Sequence, residues 1–359
     1  MTHEGAPKPT MAERSGADPD VIPPAQDRGA QSVADRSQAA REARYRASEE
    51  RLWRSLGVLP SERFVDLRRI GNRVRVQELG DGPPVLFIHG ASTCGTSWAS
   101  LAALLPQFRC FLLDRPGSGL SDPLTRPIRT VDDLVALADT LVIDVLDALD
   151  LEGADLVTTS FGGFFGLRAA LIAPQRVGRV VEFGWTAGAR PGRLPLPLRL
   201  GSTPPLGGLL SRLPTNDASV RQLLKGIGLK EAVEAGRVST EAIRCYGSLL
   251  RETDTMRNDV AIGGRFLSPA RRGDPRLVLP PADRARIRTP IAFVWGDRDP
   301  FGGAEIAREF VAGFPNASLE VLAGVGHAPW MDDAPRAAAA VRAFLAGAST
   351  PDPDRTDPH

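Results

Sequence analysis

Hydrophobic and polar positions change their spacing several times along the chain, and each spacing predicts an element. From residue 63, apolar and polar residues alternate in RFVDLRRI and RVRVQEL, and the Gly71-Asn72 pair between them is typical of a β-hairpin turn. Segments with helical spacing occur later, among them TVDDLVALADTLVIDVLDAL, for which Thr130 is the expected N-cap. Short apolar runs typical of buried strands lie between the helical segments: PVLFIH, RCFLLD, ADLVTT, RVVEF, IAFVWG and SLEVL.

This alternation of strands and helices predicts an α/β fold, because parallel strands joined by helices form a sheet that is covered on both faces. Residues 186–286 interrupt the alternation with a Pro/Leu/Gly-rich piece, LPLPLRLGSTPPLGGLLSRLP, followed by helical spacing. An insertion of this kind after one strand of an open sheet lies over the carboxyl edge, where ligands bind. We therefore interpret it as a cap that separates core residues 63–185 from core residues 287–348.

The two ends of the chain differ from the core in composition. Residues 1–36 contain few large apolar side chains and predict a disordered tail, and residues 349–359 predict a second one. Residues 37–62 predict a helix that packs on the core through Leu52, Trp53 and Leu56. The alternative is that this apolar stripe binds a partner protein.

Composition and charge narrow the classes of function. Hydrophobic residues make up 42% of the chain and charged residues 24%, as in ordinary globular proteins. The net charge of +1 provides no basic field for nucleic acid or an anionic membrane. The three cysteines are far apart, and the sequence has neither a signal-like apolar segment nor an apolar run long enough to span a membrane. We expect a cytoplasmic protein that acts on a small molecule, and the oligomeric state stays open.

Several kinds of site are excluded by the residues that the chain lacks. It has no phosphate-binding P-loop, and the GSG at 117–119 is not a dinucleotide fingerprint. Neither the four histidines nor the cysteines have metal-ligand spacing, so we expect no metal and no cofactor. Because His3 and His359 lie in the predicted tails, a histidine base would be His89 or His327.

The stretch VTTSFGG indicates a nucleophile. Ser160 ends a predicted strand and begins a predicted helix, and such a sharp turn lifts a hydroxyl clear of the sheet. Thr158 stands where the usual G-x-S-x-G pattern has its first glycine. A serine needs a base, and the base needs a carboxylate to orient it. VWGDRDPFG, directly after the strand IAFVW, offers Asp297 and Asp299.

Five motifs together resemble those of the α/β-hydrolase family over roughly residues 63–347. They are HGAS, DRPGSGLSD, TSFGG, WGDRDP and GVGHAPW, in this order. The resemblance is to the branch of capped esterases, haloperoxidase-like enzymes, epoxide hydrolases and dehalogenases. It implies a mostly parallel eight-stranded sheet with helices on both faces, a helical cap insertion, a nucleophile elbow and a catalytic triad.

The resemblance also implies roles for individual residues. Ser160 would be the nucleophile, His327 the base and Asp299 the acid, while Asp297 would support its loop and Glu182 is a distant alternative acid. The N–H groups of Ala91 and Phe161 would form the oxyanion hole, with Ser92 as the adjacent candidate donor and a substrate contact. His89 would pack beneath this loop and form hydrogen bonds there.

The residue at position 160 separates the reactions of this family. Related dehalogenases and epoxide hydrolases attack with a carboxylate, and the latter also use cap tyrosines, whereas this chain has a serine and only two tyrosines in all. We expect hydrolysis of an apolar or aromatic ester or lactone. The alternatives are carbon–carbon bond hydrolysis, a hydroxynitrile lyase or peroxidase-like side activity, or ligand binding without turnover. Three tryptophans near the predicted loops are candidate substrate contacts, although each alone fits core packing: Trp98, Trp185 and Trp330.

Overall fold

The computed structural model describes residues 28–192, 215–266 and 275–347. Within these ranges, eight strands form one sheet in the order β1-β2-β4-β3-β5-β6-β7-β8. The strands are β1 (Ser61–Leu67), β2 (Asn72–Leu79), β3 (Pro84–Ile88), β4 (Arg109–Leu113), β5 (Ala154–Ser160), β6 (Val177–Thr186), β7 (Ile291–Gly296) and β8 (Ala317–Leu322).

The direction of the strands agrees with the expectation from sequence. β1 pairs with β2 and β2 with β4 in antiparallel fashion, and the remaining neighbours are parallel. Gly71, with φ +77°, makes the turn of the predicted β1–β2 hairpin, a conformation that glycine adopts without steric cost. The mostly parallel eight-stranded sheet is therefore confirmed.

Helices join the strands and cover the sheet. They are α1 (Arg28–Ser55), α2 (Ala99–Ala102), α3 (Val131–Ala148), α4 (Phe161–Ile172), α5 (Asp217–Leu224), α6 (Lys230–Glu234), α7 (Thr240–Glu252), α8 (Thr255–Phe266), α9 (Pro281–Arg286), α10 (Ala304–Val311), α11 (Pro329–Asp332) and α12 (Ala334–Leu345). Thr130 caps α3 as predicted, because its side chain accepts a hydrogen bond from the Asp133 N–H. No helix in the described ranges has both the length and the apolar character that a membrane crossing requires.

Two apolar clusters fill the space between helices and sheet, one on each face. In β3, Leu86 and Ile88 belong to the cluster beneath α3 and α4, whereas Val85 and Phe87 belong to the cluster beneath α2 and α12. Successive side chains of a strand point to opposite faces, so a strand buried on both sides is apolar throughout. This is why PVLFIH reads as a continuous apolar run.

The N-terminal boundary differs from the expected one. The tail was predicted to extend through residue 36, but α1 begins at Arg28, and residues 1–27 lie outside the described ranges. RGAQSVADR has too few apolar groups to form a core, yet it lacks proline and is rich in residues that a helix accepts. The chain divides into two units after Ala40, and among the described residues of the second unit Leu52 and Trp53 are buried.

The described part of the interrupting segment contacts loops at the carboxyl edge of the sheet. The segment's Pro/Leu/Gly-rich piece falls outside the described ranges, and helices α5 to α8 follow. The Thr255 hydroxyl accepts a hydrogen bond from the Gly119 N–H at 2.9 Å, in the loop after β4. The Ile227 carbonyl accepts one from the His327 N–H at 3.0 Å, in the loop after β8. The described part of this segment therefore touches the loops that carry the candidate site residues, which is the position expected of a cap.

Candidate active site

Ser160 occupies a strained turn between β5 and α4. Its backbone has φ 54° and ψ −121°, a conformation that residues other than glycine rarely adopt. The helix then passes so close to the sheet that a Cβ on Gly162 would lie 2.2 Å from the Ile88 carbonyl oxygen. Only glycine fits at this position, and a Cβ on Gly163 would collide with the Thr186 and Glu182 side chains of β6. The two glycines of TSFGG therefore follow from the close approach of α4 to the sheet. Strain of this kind persists where the surrounding structure enforces it, and it is common at functional sites.

His327 and Asp299 form a hydrogen-bonded pair beyond the ends of β7 and β8. Asp299 Oδ2 lies 2.8 Å from His327 Nδ1 and accepts a second hydrogen bond from the Trp185 N–H at 2.7 Å. Oδ1 accepts one from the Phe301 N–H at 2.9 Å. The Asp299 side chain is fully buried and that of His327 is 10% exposed. A carboxylate on Nδ1 fixes the tautomer that leaves Nε2 free for another partner.

Asp297 has a different role from its neighbour. Its Oδ1 accepts a hydrogen bond from the Gly324 N–H at 2.8 Å, which ties the loop after β7 to the loop after β8. The carboxylate that His327 contacts is therefore that of Asp299, and Asp297 supports the backbone around the pair.

The end of β6 links Ser160 to this pair. Thr186 is paired in register with Ser160, and the Ala187 N–H donates to the Ser160 carbonyl at 3.0 Å. In the same strand, the Trp185 N–H donates to the Asp299 carboxylate. Among the described residues, the Ser160 hydroxyl itself makes no hydrogen bond. In unliganded sites, hydrogen bonds between catalytic groups are often long and shorten when substrate binds. The structure thus assembles the three residues at one edge through neighbouring strands.

The loop after β3 lies directly against the nucleophile elbow. A Cβ on Gly90 would stand 3.0 Å from Ser160 Cβ, a tight contact that favours a glycine at this position. Ala91 follows Gly90, and Phe161 follows Ser160; within the described part of the chain, neither backbone N–H has a hydrogen-bond acceptor. Two free N–H groups beside a serine hydroxyl are what an oxyanion hole requires. The Ser92 N–H is not free, because it donates to Asp259 Oδ2 at 2.5 Å.

His89 is a structural residue of this loop. It is wholly buried; its Nδ1 lies 2.8 Å from the Gly90 carbonyl oxygen and its Nε2 accepts the Arg115 N–H at 3.0 Å. Burial lowers the pKa of the imidazole well below its ordinary value, and the nearby Arg115 guanidinium adds to the effect. A neutral ring with both nitrogens engaged braces the loop, as predicted, and has no free atom for proton transfer.

The three candidate tryptophans are all buried, but they pack in different surroundings. Trp98 is wholly buried and stacks at 4.1 Å between ring centroids on Trp330, which is buried as well. Both fill the apolar cluster on one face of the sheet, so core packing accounts for them, and substrate contact by these two stays a prediction. Trp185 instead stacks on Phe301 at 5.7 Å, and the Phe301 ring lies 4.4 Å from that of His327. Trp185 is buried too and belongs to the apolar cluster on the other face of the sheet, where Phe301 contacts both its ring and that of His327.

Thr158 is accommodated by two features that the motif does not reveal. It is paired in register with Glu182 on β6, and its hydroxyl donates a short hydrogen bond to Glu182 Oε2. Its γ-methyl group faces α4 at Gly166, where a Cβ would lie 2.9 Å from Thr158 Cγ2. A third small residue in α4 therefore compensates for the missing small residue in β5. Glu182 lies under the elbow, whereas His327 bonds to Asp299, so the geometry does not favour Glu182 as the acid.

The cysteines offer no competing nucleophile or metal site. Cys94, Cys110 and Cys245 are buried and unpaired with one another. Burial raises the pKa of the Cys110 thiol to about 12, so this thiol is protonated and inert at neutral pH. Across residues 28–192, 215–266 and 275–347, the structure brings together no group of three or more His, Cys, Asp or Glu that could hold a metal ion.

Comparisons with known proteins identify the family and the fold of this chain. A family model described as "Alpha/beta hydrolase family" matches residues 85–341. A 2-hydroxy-6-oxononadienedioate/2-hydroxy-6-oxononatrienedioate hydrolase of Pseudomonas putida is 28% identical over 281 residues, which are 75% of this chain and 91% of the relative. The structure of a Bacillus subtilis carboxylesterase matches with a TM-score of 0.62 at 19% identity, over 86% of this chain and 99% of the other. That of a 2-hydroxy-6-oxo-6-phenylhexa-2,4-dienoate hydrolase from a Rhodococcus strain matches with a TM-score of 0.64 at 18% identity, over 80% and 99%.

The fit of Thr158 against Gly166 predicts a coupled pair of substitutions. Gly166→Ala should destabilise the wild-type chain by about 1–3 kcal/mol, since the new Cβ overpacks against the Thr158 methyl group. In a Thr158→Ser background the methyl group is gone, and Gly166→Ala should become neutral or stabilise by up to about 1 kcal/mol through its better helix propensity. Urea unfolding of the four chains measures both effects. An equal cost in both backgrounds would contradict the packing.

The buried carboxyl of Glu182 predicts a specific pH dependence of stability. Burial raises its pKa from 4.5 to about 8, although hydrogen bonds from Thr158, Thr186 and the Ser160 N–H act in the opposite direction. The folded chain keeps this proton up to about pH 8, whereas the unfolded chain releases it near pH 4.5. Its contribution to stability is therefore fully present below pH 4.5 and is lost as the pH rises to 8.

The side chain introduced by Glu182→Gln is neutral at every pH, so this variant should lack the loss of stability that Glu182 causes as the pH rises. Thermal unfolding at pH 5 and pH 8.5 should show a smaller loss of melting temperature in the variant than in the wild type. Glu152→Gln, in a turn on the surface, serves as a control that should follow the wild type. Parallel curves for Glu182→Gln and wild type would mean that Glu182 is ionised in the folded chain.

Proposed function

This chain belongs to the alpha/beta hydrolase family, and from that premise we propose that it is a serine hydrolase that cleaves an ester or lactone bond in an apolar or aromatic small molecule. One observation carries the proposal: His327 Nδ1 is hydrogen-bonded to the buried Asp299, at the same sheet edge as a serine with positive φ. A serine needs a histidine base oriented by a carboxylate before it becomes a useful nucleophile.

In the first half of the proposed reaction, Ser160 Oγ attacks the ester carbonyl carbon and His327 Nε2 takes the hydroxyl proton. Asp299 stabilises the imidazolium that forms, and it stays ionised throughout. The carbonyl oxygen becomes an oxyanion, which accepts hydrogen bonds from the Ala91 and Phe161 N–H groups. Phe161 is the first residue of α4, so the positive end of the helix dipole also favours this charge.

In the second half, His327 returns the proton to the leaving oxygen and the alcohol departs, which leaves an acyl group on Ser160. Water then attacks the acyl carbon while His327 Nε2 accepts its proton. The second tetrahedral intermediate collapses, the carbon–Oγ bond breaks, and Ser160 regains its proton from His327. The products are a carboxylic acid and the unchanged enzyme, so the scheme needs no cofactor.

The aromatic surroundings of the site support an apolar substrate. Phe301 and Trp185 lie beside His327, and the partly exposed Phe161 ring lies beside the elbow. Arg115 lies 4.9 Å from the centre of the Phe161 ring, but its guanidinium is buried and ion-paired with Asp259 at 3.2 Å. A cation that already has a buried partner is a poor receptor for a substrate carboxylate, because binding would have to break that pair.

Carbon–carbon bond hydrolysis is the second candidate. It is favoured by the name of the Pseudomonas putida relative, which hydrolyses a 2-hydroxy-6-oxo dienedioate. The same triad would serve, with the proton delivered to a carbon leaving group instead of an oxygen. That substrate carries two carboxylates, which the paired Arg115 does not favour. Ligand binding without turnover is the third candidate.

Graded substrates separate these candidates. A series of p-nitrophenyl esters should be hydrolysed, with each accepted methylene adding about 0.8 kcal/mol of binding until the apolar site is full. A 2-hydroxy-6-oxo dienoate with a phenyl group at carbon 6 should be cleaved at least tenfold less efficiently, judged by kcat/KM. Preferred cleavage of the dienoate would replace the ester proposal by the carbon–carbon one, and turnover of neither substrate would favour a binding protein.

The two aspartates of WGDRDP provide a matched pair of substitutions. Asp299→Asn should lower kcat by roughly 10³–10⁴, because the imidazole loses the carboxylate that orients it and stabilises its charge. Asp297→Asn should lower kcat by less than about tenfold, since an amide oxygen can still accept the Gly324 N–H. Steady-state kinetics with the best p-nitrophenyl ester measures both. The reverse ranking would assign the acid to Asp297, and two fully active variants would refute the triad.

A further inference from the structure

The peptide group between Gly90 and Ala91 is held from its carbonyl side by a buried arginine. Arg115 Nη2 donates to the Gly90 carbonyl at 2.9 Å, and Nε donates to the His89 carbonyl at 3.1 Å. The N–H of this same peptide group belongs to Ala91, one of the two proposed oxyanion donors. A donor on the carbonyl both orients a peptide group and strengthens the hydrogen bond that its N–H makes. Arg115 therefore acts on the oxyanion donor through one peptide unit.

The next peptide group is held by a residue of the interrupting segment. Asp259 on α8 accepts the Ser92 N–H at 2.5 Å, and Ser92 has φ +58°, a strained value for a serine. Asp259 also pairs with Arg115 at 3.2 Å, and both side chains are almost completely buried. Ala91 thus lies between two fixed peptide groups, one held by Arg115 and the other by Asp259.

The same guanidinium lies over the side chain of Phe161, the residue whose N–H is the second proposed donor. Arg115 Cζ lies 4.9 Å from the centre of the Phe161 ring and 5.8 Å from that of Phe165, one turn further along α4. A cation over an aromatic face is attracted to it, and the attraction grows when both groups are desolvated. Arg115 therefore contacts the peptide group that carries the Ala91 N–H and the side chain of Phe161, and Asp259 on α8 supplies the charge that neutralises it.

We propose that Asp259 and Arg115 are positioning residues that keep the Ala91 N–H aimed at the oxyanion, so that docking of α8 on the core completes the hole. This inference rests on the proposed function, because it presumes an acyl-transfer reaction at Ser160. Neither residue touches the reacting atoms. Their substitution should lower kcat and leave the binding of uncharged substrate unchanged. The reason is that the hydrogen bond from the Ala91 N–H becomes stronger only when charge develops on the carbonyl oxygen in the transition state.

The test compares Asp259→Ala and Asp259→Asn with a control on the same helix. Asn258→Ala is that control. It removes a hydrogen bond of 2.8 Å from Asn258 Nδ2 to the Gly117 carbonyl, which joins α8 to the loop after β4 and does not involve residues 90–92. Each chain is assayed with the best p-nitrophenyl ester for kcat and KM. Each is also titrated with a trifluoromethyl ketone of the same acyl length, whose serine adduct places an oxyanion in the hole.

Loss of one oxyanion donor costs about 10²–10³ in kcat, so misaiming it in Asp259→Ala should lower kcat by about 10–100-fold with KM changed less than about twofold. The affinity for the trifluoromethyl ketone should fall by the same factor. Asp259→Asn should fall between Asp259→Ala and wild type, because its amide oxygen can still accept the Ser92 N–H while the charge is lost. Asn258→Ala should stay within about twofold of wild type in kcat, since it leaves both peptide groups held.

Melting temperatures establish that each variant is folded. If Asp259→Ala does not fold, the kinetics of the isosteric Asp259→Asn alone test the inference. The inference is overturned if Asp259→Asn and any folded Asp259→Ala keep the kcat of wild type. It is also overturned if KM rises at constant kcat, or if Asn258→Ala loses as much kcat as they do. A wild-type chain without ester turnover would refute the proposed function, and this inference with it.

Discussion

The close crossing of α4 over β5 is the constraint on which the rest of the site depends. The chain must turn from strand to helix within one residue, which forces Ser160 into a backbone with φ 54°. The helix then approaches the sheet so closely at Gly162 and Gly163 that a Cβ at either position would collide with atoms of the sheet. Strain at one residue is sustained because the packing on both faces of the sheet holds β5 and α4 in place. The result is a hydroxyl and a helix N-terminus presented at the same point.

Thr158 shows how a local departure from a motif can be absorbed elsewhere. Its methyl group takes space that Gly166 leaves open, and its hydroxyl satisfies one oxygen of the buried Glu182. A buried carboxyl without a partner would be costly, so threonine and glutamate are explained together. A buried charge is likewise given a partner beside the loop after β3. There the guanidinium of Arg115 pairs with Asp259 on α8, a helix of the interrupting segment.

Much of this arrangement could be predicted from sequence, because it depends on local patterns. Buried strands such as PVLFIH are visible as apolar runs, and residues that follow strands, such as Asp299 and His327, share the carboxyl edge of a parallel sheet. What could not be predicted depends on register and on long-range contacts. The pairing of Thr158 with Glu182 requires the β5–β6 register, and the contact of Asp259 with Ser92 joins residues 167 positions apart. The complete burial of Trp98 could not be predicted either, because its place in a loop did not reveal which way it faces.

The most direct test of the account is to map where a fluorophosphonate reacts. The reagent forms a tetrahedral adduct only with a serine whose proton a base removes and whose developing charge a hole stabilises. Intact-mass and peptide mass spectrometry should find one adduct per chain, located on Ser160, and the adduct should vanish in a folded His327→Ala variant. An unlabelled wild-type chain, an adduct at another residue, or equal labelling without His327 would contradict the central claim that Ser160, His327 and Asp299 act as one catalytic unit.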